Sequence, residues 1–190
     1  MKTLFCQRLT LRDFTIDDLV DFNEYCVNPN VGPNAGWEPH ESIEESKQIL
    51  QRFIGEGHTY AIVLNQTGRV VGSVGVESRD NELSKILNSM GYVGKNVEIG
   101  YALAFEQWGK GIMTEACQVV IDYCFSDLGV DFIICGHFPF NQRSKRVIEK
   151  CGFEHVLFRE KGYEIASGEM VDEHVYCLTK EKYEKIRRTI

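Results

Sequence analysis

The stretch that decides the fold runs Val97-Glu98-Ile99-Gly100-Tyr101-Ala102-Leu103-Ala104-Phe105-Glu106-Gln107-Trp108-Gly109-Lys110-Gly111-Ile112-Met113-Thr114-Glu115-Ala116. Residues 97–105 alternate as a strand does, with Glu98, Gly100, Ala102 and Ala104 on one face and Val97, Ile99, Tyr101, Leu103 and Phe105 on the other. Gly109 and Gly111 follow, one residue apart and just before a helix start. Such a bend exposes several backbone N–H groups, and together with the positive end of the helix dipole these suit a phosphate or pyrophosphate. Glycines used only to reach positive φ would spell the same pattern. The helix that begins at Ile112 and runs to about Leu128 is apolar on most sides, so it packs deeply.

Downstream, 131–138 is a strand, Asn141 caps a helix through Cys151, and Gly152 suits its left-handed C-terminal position. Residues 153–163 and 171–178 form a closing hairpin, and 180–190 a terminal helix. Upstream, residues 8–14 alternate as a half-buried strand. Thr15 with Asp17 and Asp18 starts a helix reaching about Val27. Residues 28–40 hold Pro29, Pro33 and Pro39, a loop long enough to suggest a functional role. Ser42 and Glu45 spell a capping box for a second helix ending near Gly55 or Gly57. The β-branched runs 59–64 and 69–76, joined by Asn65-Gln66-Thr67-Gly68, form a hairpin. Residues 79–95 are polar, with no element assigned. The expectation is one α/β (α+β) domain over 1–190, with a mixed, mostly antiparallel sheet flanked by helices.

Composition narrows the function classes. A net charge of -7 over 190 residues disfavours nucleic acid as a partner. No apolar run approaches the roughly 20 residues that cross a bilayer, and no apolar stretch follows Lys2 as in a signal sequence. The 7 cysteines form no C-x-x-C pair and read as small core residues of a cytoplasmic protein, with no metal expected.

The face bearing Glu98, Gly100, Ala102 and Ala104 is a shallow groove for a slim, extended ligand, or equally a seat for a packed helix. The second informative segment is Asn141-Gln142-Arg143-Ser144-Lys145-Arg146-Val147-Ile148-Glu149-Lys150-Cys151-Gly152-Phe153. The glycine bend and the Asn-x-x-Ser helix together resemble the GNAT superfamily of acetyl-CoA-dependent N-acetyltransferases. The chain is most similar to the branch containing ribosomal-protein N-terminal acetyltransferases (RimJ/RimL-like). Arg8-Leu9-x-Leu11-Arg12 and Gly168-x-x-x-Asp172-x-x-x-Tyr176-x-Leu178 match that branch too, so the likeness covers roughly 7–178.

The resemblance implies central strands splayed to admit coenzyme A. Strand 98–105, including Leu103, Ala104 and Phe105, would pair with the pantetheine arm. The N–H groups of Trp108, Gly109, Lys110, Gly111 and Ile112 would hold the pyrophosphate, with Met113 and Thr114 beside it. Asn141 would bond the pantetheine, and Ser144 would face the thioester. Lys145 and Arg146 suit the 3′-phosphate or, equally, a solvated surface. Glu106 stands where the superfamily often has Gln or Arg. Ile148 stands where many members carry a tyrosine acid, which leaves Ser144 or a water to serve the thiolate.

A protonated amine cannot attack a thioester, so a carboxylate acting through water serves as base, and Glu98 is the candidate. An N–H near residues 103–105 would receive the oxyanion. His137, next to Asn141 in the pattern, is a participant or a packed strand histidine. Trp37, Glu38, His40, Glu24 and Tyr25 are placed by position near an acceptor pocket. The implied activity is acetyl transfer from acetyl-CoA to a protein N-terminus or a small amine by direct attack, in a monomer or homodimer. A non-catalytic acyl-CoA sensor is the rival reading.

Overall fold

The computed structural model describes residues 1–78 and 82–188. A single eight-stranded sheet organises them. Its strands are β1 (Leu4–Phe5), β2 (Leu9–Asp13), β3 (Thr59–Leu64), β4 (Val70–Glu77), β5 (Asn96–Leu103), β6 (Phe132–His137), β7 (Glu154–Glu164) and β8 (Met170–Thr179). Their spatial order is β1-β2-β3-β4-β5-β6-β8-β7. Every neighbouring pair is antiparallel except β5 and β6, which run parallel. The helices are α1 (Leu19–Cys26), α2 (Ile43–Glu56), α3 (Glu82–Ser89), α4 (Ile112–Ser126), α5 (Gln142–Lys150) and α6 (Lys180–Arg187).

The two faces of the sheet follow its pleat. Val97, Ile99, Leu103, Ile133 and Cys135 pack with Ile112, Ala116 and Val120 of α4 and Ile148 of α5, forming the larger core. On the opposite face, Ala61, Val63 and Val70 pack under Phe22 and Leu50 of α1 and α2, while Leu83 and Leu87 of α3 cover Phe132 and Ile134. Among the described residues, no helix is long and apolar enough to cross a membrane.

The helix boundaries lie where short-range chemistry put them. Ser42 Oγ accepts from Glu45 N (3.1 Å), and α2 ends on Gly57 at φ +65. Asn141 Oδ1 accepts from Ser144 N (3.0 Å), which starts α5, and Gly152 follows at φ +88. Two expectations change. The central strand ends at Leu103, because the backbone turns at Ala104 into a 3-10 turn, Phe105–Gln107. Within the polar stretch 79–95, residues 82–89 form α3, while 79–81 lie outside the described residues.

The segment 28–41 is held firmly. His40 Nδ1 lies 2.8 Å from Ser46 Oγ, which donates to Asn23 Oδ1 at 2.9 Å, so one chain of polar groups ties the loop to α2 and α1. Its far side meets the β7–β8 hairpin, where Ala166 N donates to Gly36 O (2.9 Å).

Ahead of α1, Arg12 grips Asp18 with both guanidinium arms (2.8 and 2.7 Å), and Thr15 N donates to the same carboxylate (2.8 Å). Burial acts to raise the pKa of Asp18, but the Arg12 and Thr15 bonds outweigh it and hold the carboxyl below its ordinary value. A carboxyl depressed in this way contributes stability above its unfolded pKa and loses that contribution as pH falls toward the folded one. Arg12→Ala is expected to lower the unfolding free energy by about 2 kcal/mol near pH 7 in urea titrations. The stability gap between wild type and Asp18→Asn is expected to close below about pH 4.

Candidate functional site

β5 and β6 pair over only three positions, Asn96–Phe132, Val97–Ile133 and Glu98–Ile134, and then part. On its other edge β5 stays paired with β4 to the end, where Ala104 N donates to Val71 O (2.8 Å). In an antiparallel ladder alternate residues bond to opposite sides, so the peptide groups of Tyr101 and the N–H of Leu103 point into the split. The Ala104 N–H is already engaged and Phe105 lies outside the cleft lining, which leaves Leu103 as the usable donor of the 103–105 group.

The split opens into a cleft of about 230 Å³ whose walls are β5, the start of α4, α5 and the loop at Asn34 and Ala35. Of the residues singled out by sequence, it is lined by Leu103, Trp108, Gly109, Gly111, Ile112, Met113, Thr114, Asn141 and Ser144. Arg146 lines it as well, but Ala104, Phe105, Lys110, Lys145 and Glu98 do not. Phe105 is exposed on the 3-10 turn, stacked edge-on to Trp108 at 5.0 Å. Lys145 turns toward Glu149, 3.8 Å away. Glu98 occupies the apex of the split, opposite Glu77 on β4, on the face it shares with Gly100 and Ala102.

The glycine bend is held from several directions. Gly109 and Gly111 adopt φ +75 and +76, a region closed to most side chains. Trp108 Nε1 donates to Leu103 O (2.8 Å), locking the indole across the end of β5. Arg8, just ahead of β2, donates to Lys110 O (2.9 Å) and, through N and Nε, to Glu115 (2.8 and 2.6 Å). The Trp108 N–H is used internally on Phe105 O (3.1 Å), so the open donors begin at Gly109. No side chain caps α4, and its first residues Ile112 and Met113 are buried, so the orphan N–H groups of that turn face the cleft. A negative group is the physical complement of such an end.

Three cations stand along one face of α5. Arg143, Arg146 and Lys150 all line the cleft, and the Arg143 guanidinium lies 5.0 Å above the Trp108 ring. Their i, i+3, i+7 spacing could have been read from the sequence as one helix face. Tyr101 carried no such signal. Its hydroxyl lies 2.9 Å from Ser144 Oγ and 3.3 Å from Ser144 O, across the cleft from β5 to α5. Burial pushes the phenol well above its usual pKa, with the Cys135 and Cys117 thiols adding in the same direction. Ile148, at the position of the family's tyrosine, is 1% exposed within the larger core.

Asn141 is committed at both ends, capping α5 and donating through Nδ2 to Asn34 O (2.9 Å). His137 lies away from the cleft, with Nδ1 2.8 Å from Phe138 O, Nε2 3.2 Å from Tyr176 Oη, and its ring stacked on His174. Tyr25 and Glu24 border a second, slightly smaller groove beside Asp21 and Arg69. No group of three or more potential metal ligands occurs among the described residues.

The family model "Acetyltransferase (GNAT) domain" matches residues 8–154. The uncharacterized N-acetyltransferase p20 of Bacillus licheniformis is 29% identical over 189 residues, covering 96% of this chain and 99% of that one. A GNAT-family acetyltransferase structure from Bacillus anthracis superposes with a TM-score of 0.80 at 22% identity, over 95% of this chain and 99% of that one. Ribosomal-protein-S5-alanine acetyltransferase from Vibrio fischeri does so with a TM-score of 0.70 at 22% identity, over 96% and 99%. With the split sheet and the uncapped glycine bend at its centre, this chain belongs to the GNAT acetyltransferase family and is an N-acetyltransferase.

Proposed function

We propose that the chain moves an acetyl group from acetyl-CoA to a primary amine by direct attack, without a covalent enzyme intermediate. The observation that carries this is the junction of a parted strand pair with an uncapped helix start, an arrangement that offers an extended peptide edge and an anion seat in one continuous cleft. The open N–H groups from Gly109 to Thr114 receive the diphosphate. Arg143, Arg146 and Lys150 supply the positive charge for further phosphate, in place of Lys145, which turns toward Glu149. The Tyr101 carbonyl and the Leu103 N–H pair with the pantetheine amides as an added strand does. Asn141 acts by fixing the start of α5 against Asn34, so that Ser144 faces the thioester.

The acceptor enters on the other face, where a Cβ built on Gly100 would meet nothing within 4 Å. Glu98, beside that space, takes the proton of the attacking nitrogen through a water. The Tyr101 N–H, two positions nearer Glu98 on the same edge, receives the developing oxyanion in place of the 103–105 group. An α-amino group with a pKa near 8 is partly free at neutral pH, and a thiolate of pKa near 8.5 leaves readily, so neither step demands a strong acid or base. The V. fischeri relative's name supports testing protein N-termini as acceptors.

The test is thiol release from acetyl-CoA with peptides beginning with Ala, Ser, Thr or Met, and with spermidine and simple aminoglycosides as small amines. Turnover on at least one is expected, and none on any would overturn the proposal. Calorimetry is expected to show coenzyme A binding weakened about tenfold or more by Arg146→Ala, against little change for dephospho-CoA. Glu98→Gln is expected to lower kcat about 100-fold and to change the acidic limb of the pH–rate profile to the one set by deprotonation of the acceptor amine alone. An unchanged profile would take Glu98 out of the role of base.

A further inference from the structure

We propose that Tyr101 is a positioning residue for the transfer, its phenol holding Ser144 so that the serine hydroxyl presents its proton to the departing sulfur. This rests on the acetyltransferase reading of the cleft. The helix α5 supplies no phenol of its own, because Ile148 is sunk in the core between α4 and α5. Instead a phenol arrives from the facing wall, on β5, and meets Ser144 Oγ at 2.9 Å.

The pair has two protons and two ways to arrange them. If Tyr101 donated to Ser144 O, the serine proton would be spent on the phenol oxygen and nothing would face the cleft. That carbonyl is the more distant partner, at 3.3 Å, and it already serves the α-helical ladder toward residue 148. If Tyr101 donates to Ser144 Oγ, at the shorter distance, the serine O–H is left to point into the cleft that both residues line. A hydroxyl that accepts one hydrogen bond while donating another is also the better donor, since the bonds polarise each other. The buried phenol stays protonated and keeps donating.

In the step itself the amine nitrogen bonds to the acetyl carbon and the C–S bond breaks, its electron pair going to sulfur. The proton lost by nitrogen goes to the base and then to solvent. The thiolate forms against the Ser144 O–H and takes its own proton from solvent on release, so Ser144 and Tyr101 end as they began. Without the phenol, Ser144 is free to turn its hydroxyl back on the carbonyl of Asn141, three residues before it.

The experiment uses the full chain with acetyl-CoA and whichever of the peptides and amines above the wild type acetylates fastest. Tyr101→Phe keeps the ring in its packing and removes only the hydroxyl, and thermal unfolding checks that the fold is retained. Ser144→Ala is expected to lower kcat about 100-fold, in the range for loss of a donor at developing charge. Tyr101→Phe is expected to lower kcat about tenfold with KM for acetyl-CoA unchanged within twofold, as loss of a group that orients such a donor does. The double variant is expected to be no slower than Ser144→Ala, and Ser144→Thr to recover most of the rate while Tyr101 is present. A Tyr101→Phe rate within twofold of wild type overturns the proposal. So does a double variant in which the two losses multiply, since Tyr101 would then act by packing rather than through Ser144. Absence of wild-type turnover on the whole panel is the separate failure, that of the acetyltransferase reading itself.

Discussion

Everything at the site depends on the parting of β5 from β6 after three paired residues. A parallel pair that continued would occupy the peptide groups of Tyr101 and the Leu103 N–H and leave no open edge beside α5. The cost of parting is a row of unsatisfied backbone groups, which a buried sheet tolerates only where something else meets them. Part of the remedy is internal, since the Trp108 indole satisfies Leu103 O. The rest is left to face the cleft, and for that reason the split is a binding edge rather than a packing defect.

The same logic explains why so much of the chain converges on a short bend. Arg8 is far from the bend in sequence, yet three of its donors reach Lys110 O and Glu115. With Arg8 half-exposed, the ion pair itself adds little to stability, in the range of about 0–1 kcal/mol typical of surface pairs. Its value lies in geometry. It turns the Lys110 carbonyl outward and thereby aims the following N–H groups inward, toward the cleft.

The elements legible in the sequence are those whose physics is local. The β3–β4 hairpin declares itself by β-branched runs about a turn, α2 and α5 by their caps, and α4 by its apolar girth. The failures have non-local causes. Alternation continues through Ala104 and Phe105, so nothing in the pattern marks the strand's end at Leu103; the bonds at Val71 and Trp108 do. α3 is eight residues long with Leu83 and Leu87 as its fully buried apolar positions, too little periodicity to stand out from a polar stretch. Lys145 and Arg146 are neighbours in sequence but diverge by about 100° around α5, which is why one lines the cleft and the other pairs with Glu149. Tyr101 could be assigned to the correct face, but its meeting with Ser144 is a consequence of the split and has no trace along the chain.

The two sides of the cleft are coupled through Asn141 and the loop 28–41. Asn141 caps the helix that carries Ser144 and at the same time holds Asn34, while Gly36, two residues on, accepts from Ala166 of the β7–β8 hairpin. A Cβ on Gly36 would come within 3.2 Å of Phe138, with Tyr163 and Ile165 also against it, and its φ of +89 suits glycine alone. A shift of the loop therefore moves the start of α5, and a tilt of α5 pulls on the cleft wall at Asn34 and Ala35. The start of α5 and the loop are thus held in fixed relation by one half-buried side chain, Asn141, bonded to backbone at both ends. The direct transfer proposed above depends on such a relation, because the nitrogen must approach the acetyl carbon along one line and a displacement of about 1 Å is enough to slow the reaction severely.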